Sequence, residues 1–140
     1  MKGCKTHGIA ESTELPGMLA TFSSYEDLFG PCHPLTLRLL TEVGITLWRH
    51  RRTEDALIVF ERGLRDTTRA LGRNHDLRLR LLAALRDLFT ELGDYEKAAA
   101  AQKELLECHA ERFGAEHAET FAARETLARM LLRNIASDAS

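Results

Sequence analysis

Three histidines at a fixed spacing are the first residues of this sequence whose chemistry has to be considered. They close the motifs Gly30-Pro31-Cys32-His33, Gly72-Arg73-Asn74-His75 and Gly114-Ala115-Glu116-His117, and successive motifs lie 42 residues apart. An imidazole can ligate a metal ion or act as a base. Repeats stacked at about a helix diameter, ~10 Å, would keep these side chains too far apart to share a zinc ion, whose ligands lie at about 2.0–2.1 Å. We therefore interpret each histidine as a cap or buttress of the helix that follows it.

The cysteines offer two further candidates for chemistry. Cys4-x-x-His7 has a spacing typical of metal ligands but supplies only two of them, and Cys32 beside His33 could form a thiolate–imidazole pair. No third orienting group accompanies that pair, and no other histidine motif contains a cysteine. The sequence also has no Gly-rich phosphate loop, GxSxG or HExxH motif. We expect no catalytic residue, no bound metal and no cofactor.

Composition points to an ordinary soluble domain. The chain has 140 residues, of which 44% are hydrophobic and 29% charged, with 19 basic and 21 acidic side chains. The resulting net charge of −2 gives no general attraction to nucleic acid or to an anionic membrane. The longest apolar runs are far shorter than the ~20 residues of a membrane span. Cys4, Cys32 and Cys108 are odd in number and form no CxxC pair, which favours a reducing compartment, so we expect a cytoplasmic protein.

The 42-residue period is typical of a stacked repeat protein. Apolar residues recur every three or four positions over 35–48 and 77–89, and again over 56–71 and 98–106, as they do on one face of a helix. These patterns predict an all-α, right-handed α-solenoid of antiparallel helix pairs with about six helices. We expect a disordered N-terminus 1–13, a repeat domain 14–134 and a flexible tail 135–140. Within the domain lie a half-unit 14–29, units 30–71 and 72–113, and a capping helix 114–134.

One segment carries a family resemblance. Residues 85–98, which include Leu85, Leu88, Gly93-Asp94-Tyr95 and Ala98, resemble the core of a tetratricopeptide repeat. The ordinary unit of that family has about 34 residues, and the longer period with a histidine opening each unit resembles the kinesin-light-chain variety. The resemblance covers 30–134 and, more weakly, 14–29. It implies a scaffold that binds a protein or peptide rather than an enzyme.

Three places in the sequence depart from the repeat pattern. Small residues stand where helices should cross closely, as Gly44 and Ala128 do, but Arg86 occupies the equivalent place in the second unit. Its long side chain must therefore run outward or distort the local packing. Arg51-Arg52-Thr53 replaces Gly93-Asp94-Tyr95, so we expect a less regular turn in the first unit. Arg124 replaces Leu40 and Leu82, as suits a terminal helix on which nothing stacks.

The resemblance also implies a binding surface. In this family the concave face is lined by residues of the first helix of each unit. Here these are Arg38, Thr41, Ile45, Trp48 and Arg49, then Arg80, Ala83, Asp87 and Thr90, then Ala122, Glu125, Arg129, Leu132 and Arg133. Five arginines against two acidic residues, together with a tryptophan, favour an extended acidic or amphipathic peptide. The alternative is that the arginines only solubilise helix surfaces and that Trp48 packs inside.

We therefore predict a non-catalytic scaffold for protein–protein interaction. Its partner-binding residues would be Arg38, Thr41, Ile45, Trp48, Arg80, Asp87, Arg129 and Arg133, and its partner a protein or peptide, not nucleic acid or a membrane. The alternative function is self-assembly. The half-unit 14–29 carries Met18, Leu19, Phe22 and Phe29 without a helix partner in the sequence, and exposed apolar patches favour association, here as a symmetric homodimer.

Overall fold

The computed structural model describes the backbone of residues 2–139 and the side chains of residues 14–136. Six α-helices account for nearly all of this part of the chain, and it contains no strand. They are α1 (Lys2–Phe29), α2 (Pro34–Arg49), α3 (Thr53–Leu71), α4 (Asp76–Glu91), α5 (Tyr95–Phe113) and α6 (Ala118–Ala139). The prediction of an all-α fold with about six helices is confirmed.

The helix ends agree with the predicted repeats except at the two termini. α6 continues beyond residue 134 to Ala139, because Ile135-Ala136-Ser137-Asp138-Ala139 contains neither glycine nor proline to end it. α1 begins at Lys2, and the predicted disorder of residues 1–13 stays a prediction; the side chains of the candidate ligands Cys4 and His7 lie outside the described part. The predicted domain boundaries stay a prediction.

The chain divides into two compact bodies. We call Met1–Asp66 the N-terminal body and Thr67–Ser140 the C-terminal body. In the N-terminal body α2 packs between α1 and α3, and its core includes Leu37, Val43 and Phe60. In the C-terminal body α5 packs against both α4 and α6, around Leu81, Leu88 and Leu105.

A tight helix crossing organises the N-terminal body. At Gly44 of α2, a Cβ atom would lie only 2.5 Å from Cε1 of Phe60 on α3, so only glycine allows this close approach. Trp48, one turn after Gly44 on α2, also contacts the Phe60 ring in an edge-on arrangement, with ring centroids 6.3 Å apart. Trp48 itself is half-buried, so it contributes to packing while part of it remains accessible.

The Gly-x-x-His motif that opens each repeat has a single structural explanation. The glycine takes a positive φ in all three copies, 90° at Gly30, 99° at Gly72 and 95° at Gly114, a region that side chains disfavour. The histidine three residues later accepts a hydrogen bond at Nδ1 from the backbone N–H two positions on, at 3.1 Å in each repeat. The motif therefore ends one helix and caps the next, and the interpretation of these histidines as caps is confirmed.

The turn between α2 and α3 in the first unit is as regular as the turn between α4 and α5 in the second unit, so the expectation of a less regular turn is wrong. Arg51 takes a φ of 62° at the position where Gly93 has 81°. The flanking hydrogen bond from Arg52 N to the Leu47 carbonyl measures 2.9 Å, the same length as the equivalent bond from Asp94 N. Backbone bonding therefore imposes the turn even on a residue for which positive φ is unfavourable.

The last helix combines a polar position with exposed apolar ones. Arg124 is exposed. Phe121 is 55% exposed, although its equivalents Leu79 and Leu37 are buried. Leu131, Leu132 and Ile135 are exposed as well. No helix in the described part of the chain is long and apolar enough to cross a membrane.

Candidate functional site

The candidate site is a groove between α4 and α6 in the C-terminal body, and we call it the α4–α6 groove. Helical spacing aligns Leu79, Ala83, Arg86 and Thr90 on one side of α4, and Glu119, Ala122, Thr126, Met130 and Arg133 on one side of α6. The groove contains one hollow of about 360 Å³ and a second of about 280 Å³, which share Arg86 and Thr126. α5 supplies its floor.

Capping holds the walls of the groove in place. His75 caps α4, and Asp94 caps α5 by accepting a 3.2 Å hydrogen bond from Lys97 N at its carboxylate. At the start of α6 the hydroxyl of the buried Thr120 donates to the Gly114 carbonyl at 2.7 Å. These local bonds fix where each helix begins, and therefore which residues face the groove.

The larger hollow mixes apolar and polar lining. Leu79, Ala83, Leu105 and Ala122 supply the apolar surface, and Arg80, Arg86 and Glu119 supply charge. His109 of α5 stacks on Phe113, with ring centroids 5.7 Å apart, and its buried Nδ1 has no hydrogen-bond partner among the described residues.

A polar chain crosses the floor from α4 to α6. Arg86 Nη1 donates to Gln102 Oε1 at 2.8 Å, and Gln102 Nε2 donates to the Ala123 carbonyl at 3.0 Å. Gln102 is 2% exposed, so both ends of its amide are satisfied away from water. Arg86 Nε also donates to Asp87 Oδ1 at 3.0 Å. The expected conflict at Arg86 is thus resolved by a hydrogen-bonding partner on the neighbouring helix.

The structure brings together part of the predicted binding residues. Arg80, Asp87 and Arg133 all line the α4–α6 groove, and so do Ala83, Thr90 and Ala122. Arg129 does not line it, but its Nη2 donates to the hydroxyl of Thr126, which does, at 3.3 Å. The predicted residues of the C-terminal body therefore belong largely to one surface.

The four predicted residues of α2 lie in the N-terminal body and differ in accessibility. Arg38 is exposed, whereas Ile45 and Trp48 are half-buried. Thr41 is 0% exposed, and its hydroxyl donates to the Leu37 carbonyl at 3.0 Å. Its side chain is not open to a partner, because it lies on the same buried side of α2 as Leu37 one turn earlier.

Sequence reasoning did not assign Arg86, Gln102 or His109 to the site. Arg86 was recognised only as a departure from the small-residue pattern, and the other two lie on a second helix, where no binding residue was expected. One signal was available. Aligned at 42 residues, Arg86 and Gln102 replace Gly44 and Phe60, so both partners of one helix crossing change from apolar to polar together.

The other chemical candidates do not form reactive sites in the described part of the chain. Cys32 is exposed, and the Nδ1 atom of its neighbour His33 is already engaged by the Leu35 N–H. Burial raises the pKa of the Cys108 thiol, although the nearby Arg78 and Arg73 guanidinium groups oppose that effect. A protonated, buried thiol is a poor nucleophile.

A buried arginine explains the surroundings of Cys108. Arg78 is 6% exposed and donates to Glu104 at 2.6 Å, Thr68 at 2.7 Å, the Arg73 carbonyl at 3.0 Å and Cys108 Sγ at 3.3 Å. The side chains described contain no group of three or more His, Cys, Asp or Glu residues that could hold a metal ion. The Arg78 cluster is therefore best explained as structural, because its polar groups satisfy one another.

The repeated helix pairs define the class of the protein, which is an all-α solenoid. Residues 36–76 match the family described as Tetratricopeptide repeat. Two solved structures share the fold, a Podosopora anserina protein described as a kinesin light chain with nearly identical TPR-like repeats and a point variant of that protein. Each has a TM-score of 0.75 at 16% sequence identity over 91% of this chain. Among curated proteins, none matches the sequence.

The predicted resemblance is confirmed: residues 36–76 match the Tetratricopeptide repeat, and the fold of the chain is like that of the two kinesin-light-chain repeat structures. The alignment covers 60% and 61% of the two Podosopora anserina chains, so this chain spans about three fifths of their length. Repeats of this family indicate a scaffold for protein–protein interaction. The partner has to be inferred from the groove.

Proposed function

We propose that the chain is a non-catalytic scaffold that binds an acidic peptide, or an extended acidic segment of a partner protein, in the α4–α6 groove. The observation that carries this proposal is the groove itself, in which apolar side chains such as Leu79, Leu105 and Ala122 are bordered by three arginines, Arg80, Arg86 and Arg133, and two carboxylates, Asp87 and Glu119. The groove therefore has a small basic excess, although the chain as a whole carries a net charge of −2. This contrast favours an acidic partner.

The dimensions of the groove suit an extended chain. Its lining on α4 runs from Leu79 to Thr90, which is about 16 Å at the helical rise of 1.5 Å per residue. At ~3.3 Å per residue, about five residues of an extended peptide would span that length. Alternate side chains of such a peptide point to opposite sides, so apolar residues can face Leu105 and Ala122 while acidic ones meet the arginines. Location in the cytoplasm stays a prediction from cysteine usage.

Reversing the groove charges is expected to weaken binding of an acidic peptide about tenfold or more, because both attraction and hydrogen bonding are lost. The variant is Arg80→Glu/Arg133→Glu. The probe is a nine-residue peptide of alternating leucine and glutamate, and the measurement is nuclear magnetic resonance titration of labelled protein. Wild-type protein should show shift changes centred on Ala83 and Ala122.

A matched control separates groove charge from total charge. Lys103→Glu/Arg124→Glu makes the same change in net charge at two exposed positions of the C-terminal body that do not line the groove. It should bind like wild type. Shift changes that map away from the α4–α6 groove, or equal weakening by both double variants, would reject this site.

A second candidate function, self-association through residues 14–29, is favoured by the exposed side chains of α1. Leu28 is 75% exposed, and Leu19 and Phe29 are exposed as well. Phe22 is buried beneath the Arg62 guanidinium, and Met18 Sδ accepts a 3.1 Å hydrogen bond from Thr46, so these two contribute mainly to the fold. Leu28 and Phe29, which are neighbours at the end of α1, would supply the contact.

Light scattering tests this second candidate. We expect a dimer of the intact chain and a monomer of Leu28→Glu/Phe29→Glu, since two charges would then have to be buried in the interface. Ile58→Glu, at another exposed apolar position of the N-terminal body, is the control and should remain dimeric. A monomeric wild type, or a double variant that still dimerises, would exclude self-association through α1.

A further inference from the structure

The second repeat unit replaces an apolar helix crossing with a polar one. In the first unit Gly44 and Phe60 meet so closely that a methyl group at Gly44 would lie 2.5 Å from the ring. The residues 42 positions later are Arg86 and Gln102, and they meet through a 2.8 Å hydrogen bond. Both residues of the crossing have therefore changed together. Glycine and phenylalanine fit one another in shape, and arginine and glutamine fit one another as hydrogen-bond donor and acceptor.

Stability alone does not explain this exchange. A phenylalanine packed against glycine buries apolar surface, whereas an arginine and a glutamine must first lose their hydration. The polar pair therefore needs every hydrogen bond it makes, and Gln102 is satisfied by Arg86 on one side and the Ala123 carbonyl on the other. Departures of this kind from simple core packing concentrate at functional sites.

The geometry of Arg86 suits recognition. Its Nη1 is held by the buried Gln102, its Nε makes only a surface contact with Asp87, and its side chain is 25% exposed on the wall shared by both hollows of the groove. Its Nη2 donates to no group in the described part of the chain. A guanidinium already held in place loses less conformational entropy on binding than a free surface arginine.

From this arrangement we infer that Arg86 is the specificity-determining residue of the α4–α6 groove, that it donates to a carboxylate side chain of the bound peptide, and that Gln102 positions it. The inference rests on the proposed function and adds the contact that distinguishes glutamate from glutamine in the peptide. Asp87 does not compete strongly, because it is 55% exposed and such a surface ion pair is weak.

The chain itself offers the variant that tests this role. Arg86→Gly/Gln102→Phe installs the first unit's pair in the second unit, so the protein should fold and melt close to the wild-type temperature. The probes are the alternating leucine–glutamate nonapeptide and its leucine–glutamine counterpart. Wild type should prefer the glutamate peptide by about 10–100-fold, the range expected for hydrogen bonds to a charged group, and the double variant should lose most of that preference.

Two further variants test whether Gln102 positions Arg86 and whether the preference for glutamate depends on residues of the groove. Gln102→Leu leaves the Arg86 charge in place but removes its hydrogen-bonding partner, and it should reduce the preference for glutamate while the leucine–glutamine peptide binds as before. If Gln102 had a purely structural role, its replacement would weaken the binding of both peptides equally. Arg124→Glu, outside the groove, should preserve the preference and serves as the control.

The outcomes separate this inference from the proposed function. If a folded Arg86→Gly/Gln102→Phe protein still prefers the glutamate peptide as wild type does, Arg86 is not the specificity residue, and the groove remains the binding site. If neither peptide shifts resonances of the groove in wild type, the proposed function fails and this inference with it.

Discussion

Replacing Phe60 with alanine is expected to lower the free energy of unfolding by about 3–5 kcal/mol, the usual cost of removing a buried phenylalanine ring. The side chain is 0% exposed and fills the space that Gly44 leaves open, with Trp48 packed edge-on against its ring. The cavity would lie at the close crossing of α2 and α3. Urea unfolding followed by circular dichroism measures the change.

Variants at Ile58 and Gly44 test whether the loss of stability comes from the packing of the Phe60 ring. Ile58→Ala, at a 65% exposed position of the same helix, should change the free energy of unfolding by less than about 0.5 kcal/mol. Gly44→Ala alone should cost about 1–3 kcal/mol because its Cβ would collide with the Phe60 ring. In combination with Phe60→Ala that collision disappears, so the two losses should not add. A loss below about 1 kcal/mol for Phe60→Ala would contradict the crossing described above.

Truncation of a core leucine in either body should have the next largest effect. Leu85→Ala and Leu47→Ala are each expected to lower the free energy of unfolding by about 2–5 kcal/mol, since both side chains are buried on the apolar stripe of a first helix. In a short repeat array few neighbouring contacts remain to offset such a loss. Thermal and urea unfolding of the two variants give the measurement.

Leu132→Ala is the matched control for the leucine variants. Leu132 is also on a first helix of the repeat pattern but is 66% exposed, so its truncation should have little effect. A melting temperature of Leu85→Ala or Leu47→Ala within error of wild type would show that the stripe is assigned to the wrong residues.

Local signals in the sequence were sufficient to predict the architecture. The 42-residue period, the helical stripes and the glycine and histidine at each unit's start depend on backbone conformation and on contacts between near neighbours. Such features can be recognised without knowing which helix packs where, because a helix needs the same caps and the same apolar periodicity in any fold. The small residue Gly44 likewise indicated a close crossing before its partner Phe60 was known.

The candidate site could be predicted only in part. Three residues chosen because they lie on first helices, Arg80, Asp87 and Arg133, line one groove, and their role in binding stays a prediction. The same rule also selected Thr41, whose side chain is buried. The sequence pattern does not show how much of a helix face is covered by a neighbouring helix. It also omitted Gln102 and His109, which reach the groove from α5.

The sequence by itself determined the repeat, the six helices and their caps, since each of these is encoded within a few turns of chain. Only the tertiary structure decided that Arg86 finds Gln102 on another helix at 2.8 Å and that a groove forms between α4 and α6. The reason is that hydrogen-bond partners and accessibility depend on distances between residues far apart in sequence. Periodicity specifies which face of a helix is apolar, whereas packing determines which side chains meet and which remain open to a partner.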